Sequence, residues 1–125
     1  MSDNNTIKIN VATRYLPEQS LPVENRFAFA YTITIINQGE EAVRLLRRYW
    51  RITDANSRVQ EVRGEGVVGE QPLIPAGDSY RYTSGAVLET AVGTMEGSYE
   101  MISASGATFI APISVFSLAQ PGILH

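Results

Sequence analysis

From Phe27 to Ile35 every second residue is aromatic or β-branched: Phe27, Phe29, Tyr31, Ile33 and Ile35 alternate with Ala28, Ala30, Thr32 and Thr34. A period of two belongs to extended backbone, whose side chains leave opposite faces in turn. Here both sets are apolar or small, so the segment predicts a strand at least partly buried on each side. Asn37-Gln38-Gly39 supplies turn residues, and a second strand is expected over residues 43–53. Strict alternation there would put Leu46, Trp50 and Ile52 on one face and Val43, Leu45 and Tyr49 on the other. Asp54-Ala55-Asn56-Ser57 predicts the next turn, and residues 58–63 a strand returning antiparallel. QPLIPAGD, with two prolines and a glycine, predicts loop. Tyr80, Tyr82 and Ser84 alternate on a strand leaving it, residues 93–102 form another, and after the Ser105-Gly106 turn residues 108–118 form the last. Ile7, Ile9 and Val11, in phase over residues 7–13, mark the first.

About seven strands separated by turn signals, with no segment at helical spacing, predict an all-β domain. At this length the expected architecture is an antiparallel β-sandwich of immunoglobulin or fibronectin type III-like form, a single domain over residues 1–125. The segment from Leu73 to Tyr80 is similar to the Leu-x-Pro…Tyr entry into a late strand of fibronectin-type modules, with Tyr80 one residue late. Trp50, on a middle strand, is the expected core anchor, because its ring buries a large area without a disulfide behind it.

Composition narrows the function classes. At 125 residues, 44% hydrophobic and 18% charged, the chain is long and apolar enough for one ordered core. A net charge of −3 argues against a general nucleic-acid binder, which needs a strongly basic field. The absence of cysteine removes disulfides, thiolate catalysis and thiolate metal sites together. No basic start followed by an apolar run opens the sequence, and no stretch of about 18 apolar residues could span a bilayer. The expected location is the cytoplasm.

Long blocks of this sequence resemble the ApaG family: FAFAYTITIINQG, LLRRYWRITDA, VRGEGVVGEQPLIPAGDSYRYTSGA, GTMEGSYEMI and PISVFSLAQP. The resemblance covers the chain from about Arg14 onward. It implies a fibronectin-like sandwich, found alone in bacteria and as one domain of larger eukaryotic proteins. It also implies an association with diadenosine tetraphosphate metabolism and with cobalt resistance and magnesium efflux. It supplies no catalytic residues to carry over.

GEGVVG, residues 64–69, spells the dinucleotide fingerprint G-x-G-x-x-G. That motif works where a parallel strand turns into a helix whose N-terminus meets the pyrophosphate. Here β-branched residues and two prolines follow, so no helix is expected and the dinucleotide fold is excluded. Two readings remain. The glycines permit positive φ, a bulge or a tight crossing. Alternatively the amides at Gly64, Gly66 and Gly69, with Arg63 beside them, form a nest for pyrophosphate or a nucleotide, against the repulsion of Glu61, Glu65 and Glu70.

RLLRRYWR, residues 44–51, holds four of the ten basic residues. Strand geometry places Arg47, Tyr49 and Arg51 on one face, candidates for a small exposed partner-binding patch. Arg44, Arg48 and Trp50 are expected on the other, where Arg48 would serve as an ion pair or hydrogen-bond clamp at the core edge. The one histidine is the terminal His125, and the carboxylates show no calcium-loop spacing, so no metal site and no cofactor are expected. Ser84 has no visible base, and no nucleophile–base pair is apparent. The sequence therefore predicts a non-enzymatic module that docks an unidentified protein, with an anion or nucleotide site at residues 64–69 as the alternative. The apolar run Gly122-Ile123-Leu124 and open sheet edges would allow weak self-association.

Overall fold

The computed structural model describes residues 6–122; Ile123, Leu124 and His125 lie outside the described residues. Eight strands follow in order: β1 Ile7–Tyr15, β2 Phe27–Asn37, β3 Val43–Asp54, β4 Val59–Glu65, β5 Leu73–Ile74, β6 Ser79–Leu88, β7 Val92–Ser103 and β8 Thr108–Ala119. No α-helix occurs among the described residues, and two short 3-10 turns lie between β1 and β2. One sheet has the order β1-β2-β6. The other runs β4-β3-β7-β8, with β5 paired to β3, and every pairing is antiparallel. The two sheets pack as a sandwich of the fibronectin type III-like kind.

The period of two in β2 sets the core. Phe27, Phe29, Tyr31, Ile33 and Ile35 are buried between the sheets, while Ala30, Thr32, Thr34 and Ile36 are half-buried on the outer side. Trp50 faces them from β3 at 2% exposure. Its ring meets Tyr31 at 5.4 Å, Phe116 at 5.8 Å and Tyr99 at 6.4 Å between centroids, each edge-on. Such tilted contacts set the positive ring edge of one partner against the negative face of the other. The hydroxyls of Tyr82 on β6 and Tyr99 on β7 hydrogen-bond across the core and tie the sheets together. Burial pushes both phenols well above their ordinary value.

Two expectations are corrected. QPLIPAGD is not wholly loop: Leu73 and Ile74 form β5 on Val43 and Arg44. The fully buried Asn37 holds it there, donating from Nδ2 to Ile74 O at 3.0 Å and to Glu41 O at 2.8 Å. The faces of β3 also differ from strict alternation. Val43 and Leu45 are buried on the same side as Trp50 and Ile52, and Arg44 is exposed rather than paired in direction with Arg48. The cause is a bulge: the register against β7 shifts between Leu45 and Arg47, so Leu46 is the extra residue and the alternation restarts after it.

β1 packs against β8 and closes one side of the sandwich. On the opposite side the edges are β6 of one sheet and β4 and β5 of the other.

Candidate functional site

β4 delivers the glycine-rich stretch, and the chain reverses immediately. Val67 and Glu70 pair through Val67 N to Glu70 O at 2.8 Å and Glu70 N to Val67 O at 3.0 Å. The turn between them has Val68 at φ 48° and Gly69 at φ 80°. Two left-handed residues in succession match the right-handed twist of a two-residue hairpin. Gly66, at φ 64°, enters the turn and donates its amide to the bulge carbonyl of Leu46 at 2.9 Å. Arg48 lies on the core-facing side of β3 and donates from Nη1 to Glu65 O at 3.1 Å and Gly66 O at 3.0 Å. It is the clamp at the core edge. Gly64 sits opposite Arg48 in register, and a Cβ there would lie 2.7 Å from Arg48 Nη1. Of the candidate anion residues, Gly64, Gly66 and Gly69 are thus brought together by the hairpin. Arg63 points to the other face of β4.

That other face is the outer surface of the larger sheet, and its register makes a lattice. Arg47 lies between Glu65 and Glu100, Tyr49 between Arg63 and Ser98, and Arg51 between Glu61 and Glu96. Arg47 and Arg51 therefore each have a carboxylate on both neighbouring strands, and Tyr49 stands in the middle row. Arg47 Nη1 reaches Glu100 Oε1 at 3.0 Å. The Tyr49 hydroxyl donates to Glu61 Oε2 at 2.5 Å, and Arg63 lies over the Tyr49 ring, 4.6 Å from its centroid. This bond from Tyr49, then the charges of Arg63 and Arg51, hold the Glu61 carboxyl below its ordinary value. The same bond, with partial desolvation and the Glu61 charge, raises the Tyr49 phenol. Ser98 is small, so beside Tyr49 the surface dips into a hollow of about 390 Å3, bordered also by Arg63, Gly64 and Ile110.

The family model for the ApaG domain matches residues 17–103. The chain belongs to the ApaG family. The protein ApaG of Pseudomonas aeruginosa is 60% identical over the full length of both chains. A crystal structure solved as a structural-genomics target shares 52% identity at a TM-score of 0.93, covering 98% of this chain and 92% of that one. A Bordetella pertussis protein bearing the name ApaA shares 46% identity at a TM-score of 0.91, covering 94% and 95%.

Within this ApaG domain the three partner-binding candidates, Arg47, Tyr49 and Arg51, do share one face, as alternation after the bulge requires. Sequence reasoning missed their neighbours on β7, Ser98 and Glu100, because only the register of β3 against β7 places them. It also missed the pair Tyr82 and Tyr99, which two sheets bring together. Among the described residues no group of three or more His, Cys, Asp or Glu is placed to hold a metal ion, and no helix is long and apolar enough to cross a membrane.

Proposed function

We propose that this ApaG domain is a non-enzymatic docking module that binds a protein partner on the outer face of its larger sheet, centred on the hollow beside Tyr49. The observation that carries this reading is the preorganised aromatic. Tyr49 is held by Glu61 from the hydroxyl end and by Arg63 over the ring, next to an open hollow of about 390 Å3. Tyrosine and arginine contribute disproportionately at protein interfaces, and a side chain already fixed loses little entropy on binding. The alternating charges around it favour a partner surface that carries both signs about an apolar side chain. On this reading the family's link to cobalt resistance and magnesium efflux runs through the partner, in the cytoplasm. A photo-crosslinking residue in place of Ser98, introduced in cells of the source organism, tests it. The expected result is one adduct of defined mass that Tyr49→Ala or the pair Arg47→Ala and Arg51→Ala removes. No adduct, or one indifferent to those changes, refutes the reading.

A second reading, a pyrophosphate or nucleotide site at Gly64, Gly66, Gly69 and Arg63, has one observation in its favour: Arg63 and Gly64 border the same hollow. Against it, the Gly66 and Val67 amides already serve Leu46 O and Glu70 O, and Glu61 and Glu65 stand beside it. Backbone amide shifts during titration with pyrophosphate, ATP and diadenosine tetraphosphate separate the two readings. Saturable shifts clustered on residues 64–69 would favour the second.

A further inference from the structure

The open side of the sandwich carries a second, independent concavity. Between the edges of β4 and β6 lie two adjoining hollows of about 310 and 190 Å3, which share Tyr31, Arg48, Trp50 and Ser84. Together they reach the size range of small-molecule sites. The seam exists because the residues facing Trp50 across it are small: Ser84 and Ala86 stand on the inner face of β6, opposite Tyr31 and Phe29 of β2. Val62 and Ile52 give it apolar walls, and the hairpin at Val67 and Val68 closes one end.

Two features of this seam point to a ligand. The buried Trp50 ring forms its floor. Arg48 uses Nη1 for the hairpin carbonyls, and the hydrogen bonds it makes among the described residues do not engage Nη2 or Nε. Finally Val68, a β-branched and exposed residue, is held at φ 48°. That conformation is disfavoured for a branched side chain, and such outliers concentrate at ligand clamps. The seam thus sets one cationic group with donors to spare, Arg48, among apolar walls.

We propose that the β4–β6 seam binds a small carboxylic acid with an apolar body. The carboxylate would accept from Arg48 and the Ser84 hydroxyl, and the hydrocarbon part would lie against Val62, Ile52 and the Trp50 ring. This site is on the inner side of β3 and β4, away from the Tyr49 face, so it stands whether or not the docking reading does.

Trp50 is the only tryptophan, so a single indole N–H resonance reports on the seam. Titration of the 15N-labelled full chain with sodium phenylacetate is expected to move that resonance saturably, together with the Ser84 amide. Phenylacetamide, of the same shape without the charge, should bind about tenfold more weakly or less, the factor lost with one charge-assisted hydrogen bond. Arg48→Met should weaken phenylacetate by a similar factor. Because Arg48 also holds the hairpin, Ser84→Leu is the second variant. It fills the seam from its exposed side, leaves the clamp intact, and should abolish the shift in an otherwise native spectrum. An indole resonance that stays fixed at tens of millimolar phenylacetate overturns the proposal. So does one that moves equally with phenylacetamide or inorganic phosphate, or undiminished in Ser84→Leu.

Discussion

Three glycine-to-alanine changes in residues 64–69 should differ sharply in cost, for reasons the geometry separates. At Gly69, φ is 80° and a Cβ would meet nothing within 4 Å, so only the left-handed backbone is penalised, by about 1–2 kcal/mol. At Gly66, φ is 64° and a Cβ would lie 2.1 Å from Glu70 O. The dihedral penalty returns, and the hairpin must also open. The two Val67–Glu70 hydrogen bonds and the Arg48 bond to Gly66 O are then lost or lengthened, at about 1 kcal/mol for each neutral bond and more for the charged one. The expected total is about 5 kcal/mol, a large share of the stability of a domain this size. At Gly64 no positive φ is involved, and the Cβ collides only with the Arg48 guanidinium, at 2.7–2.9 Å. That group can swing into water, so the cost is the clamp alone, about 2 kcal/mol. Urea unfolding followed by Trp50 fluorescence measures all three. The decisive comparison is Gly64→Ala in an Arg48→Ala background, where its penalty should fall to near zero, a coupling of about 2 kcal/mol. If that penalty persists without Arg48, or if Gly69→Ala costs as much as Gly66→Ala, the assignment of these glycines to hairpin and clamp is wrong.

Tyr82→Phe and Tyr99→Phe should each destabilise by about 1–3 kcal/mol, since each leaves the other hydroxyl buried without its partner, while the double variant should cost clearly less than the sum. Additive denaturation energies would refute a coupled pair. The Glu61 carboxyl titrates low in the folded protein, so its contribution is present above the ordinary carboxylate range and is lost as pH falls through the lowered folded value. Tyr49→Phe removes the largest cause and should move the Glu61 midpoint upward in a carboxyl-carbon NMR titration; an unmoved midpoint would discount the hydrogen bond. Arg58→Ala breaks a 2.7 Å ion pair with Glu89 whose side chains are 70% and 60% exposed, and should change the unfolding midpoint by less than the equivalent of about 0.5 kcal/mol.

How much of this was legible in the sequence depends on the range of the interaction that decides it. The strands of β2, β6 and β7 could be read because burial of one face imposes a period of two on adjacent residues. The faces of β3 could not, because a bulge changes direction without changing composition. Its one local trace is the adjacent pair Leu45-Leu46, two apolar residues where alternation allows one. Arg48 as a clamp was legible from its place among core residues. Its acceptors, Glu65 O and Gly66 O, were not, since they depend on a hairpin whose left-handed Val68 no propensity predicts. β5 escaped because two residues carry no period, and its place depends on distant partners, the backbone of β3 and the side chain of Asn37. The Tyr49 row and the β4–β6 seam are further out of reach: one needs the register of three strands, the other the placement of two sheets.

The G-x-G-x-x-G spelling shows how unrelated requirements can imitate a motif. In a phosphate-binding loop the glycines let several amides converge on an anion. In this hairpin the converging groups include two carbonyls, and the group they hold is a cation, Arg48. Gly64 is small because the guanidinium lies over it, Gly66 because the chain must turn under Glu70 O, and Gly69 because the second turn residue is left-handed. Each reason acts at its own position, and none requires the others. The spacing of three glycines therefore follows from strand register plus hairpin length. What distinguishes such a site from a phosphate cradle is the direction of the backbone dipoles, a property the letters do not encode.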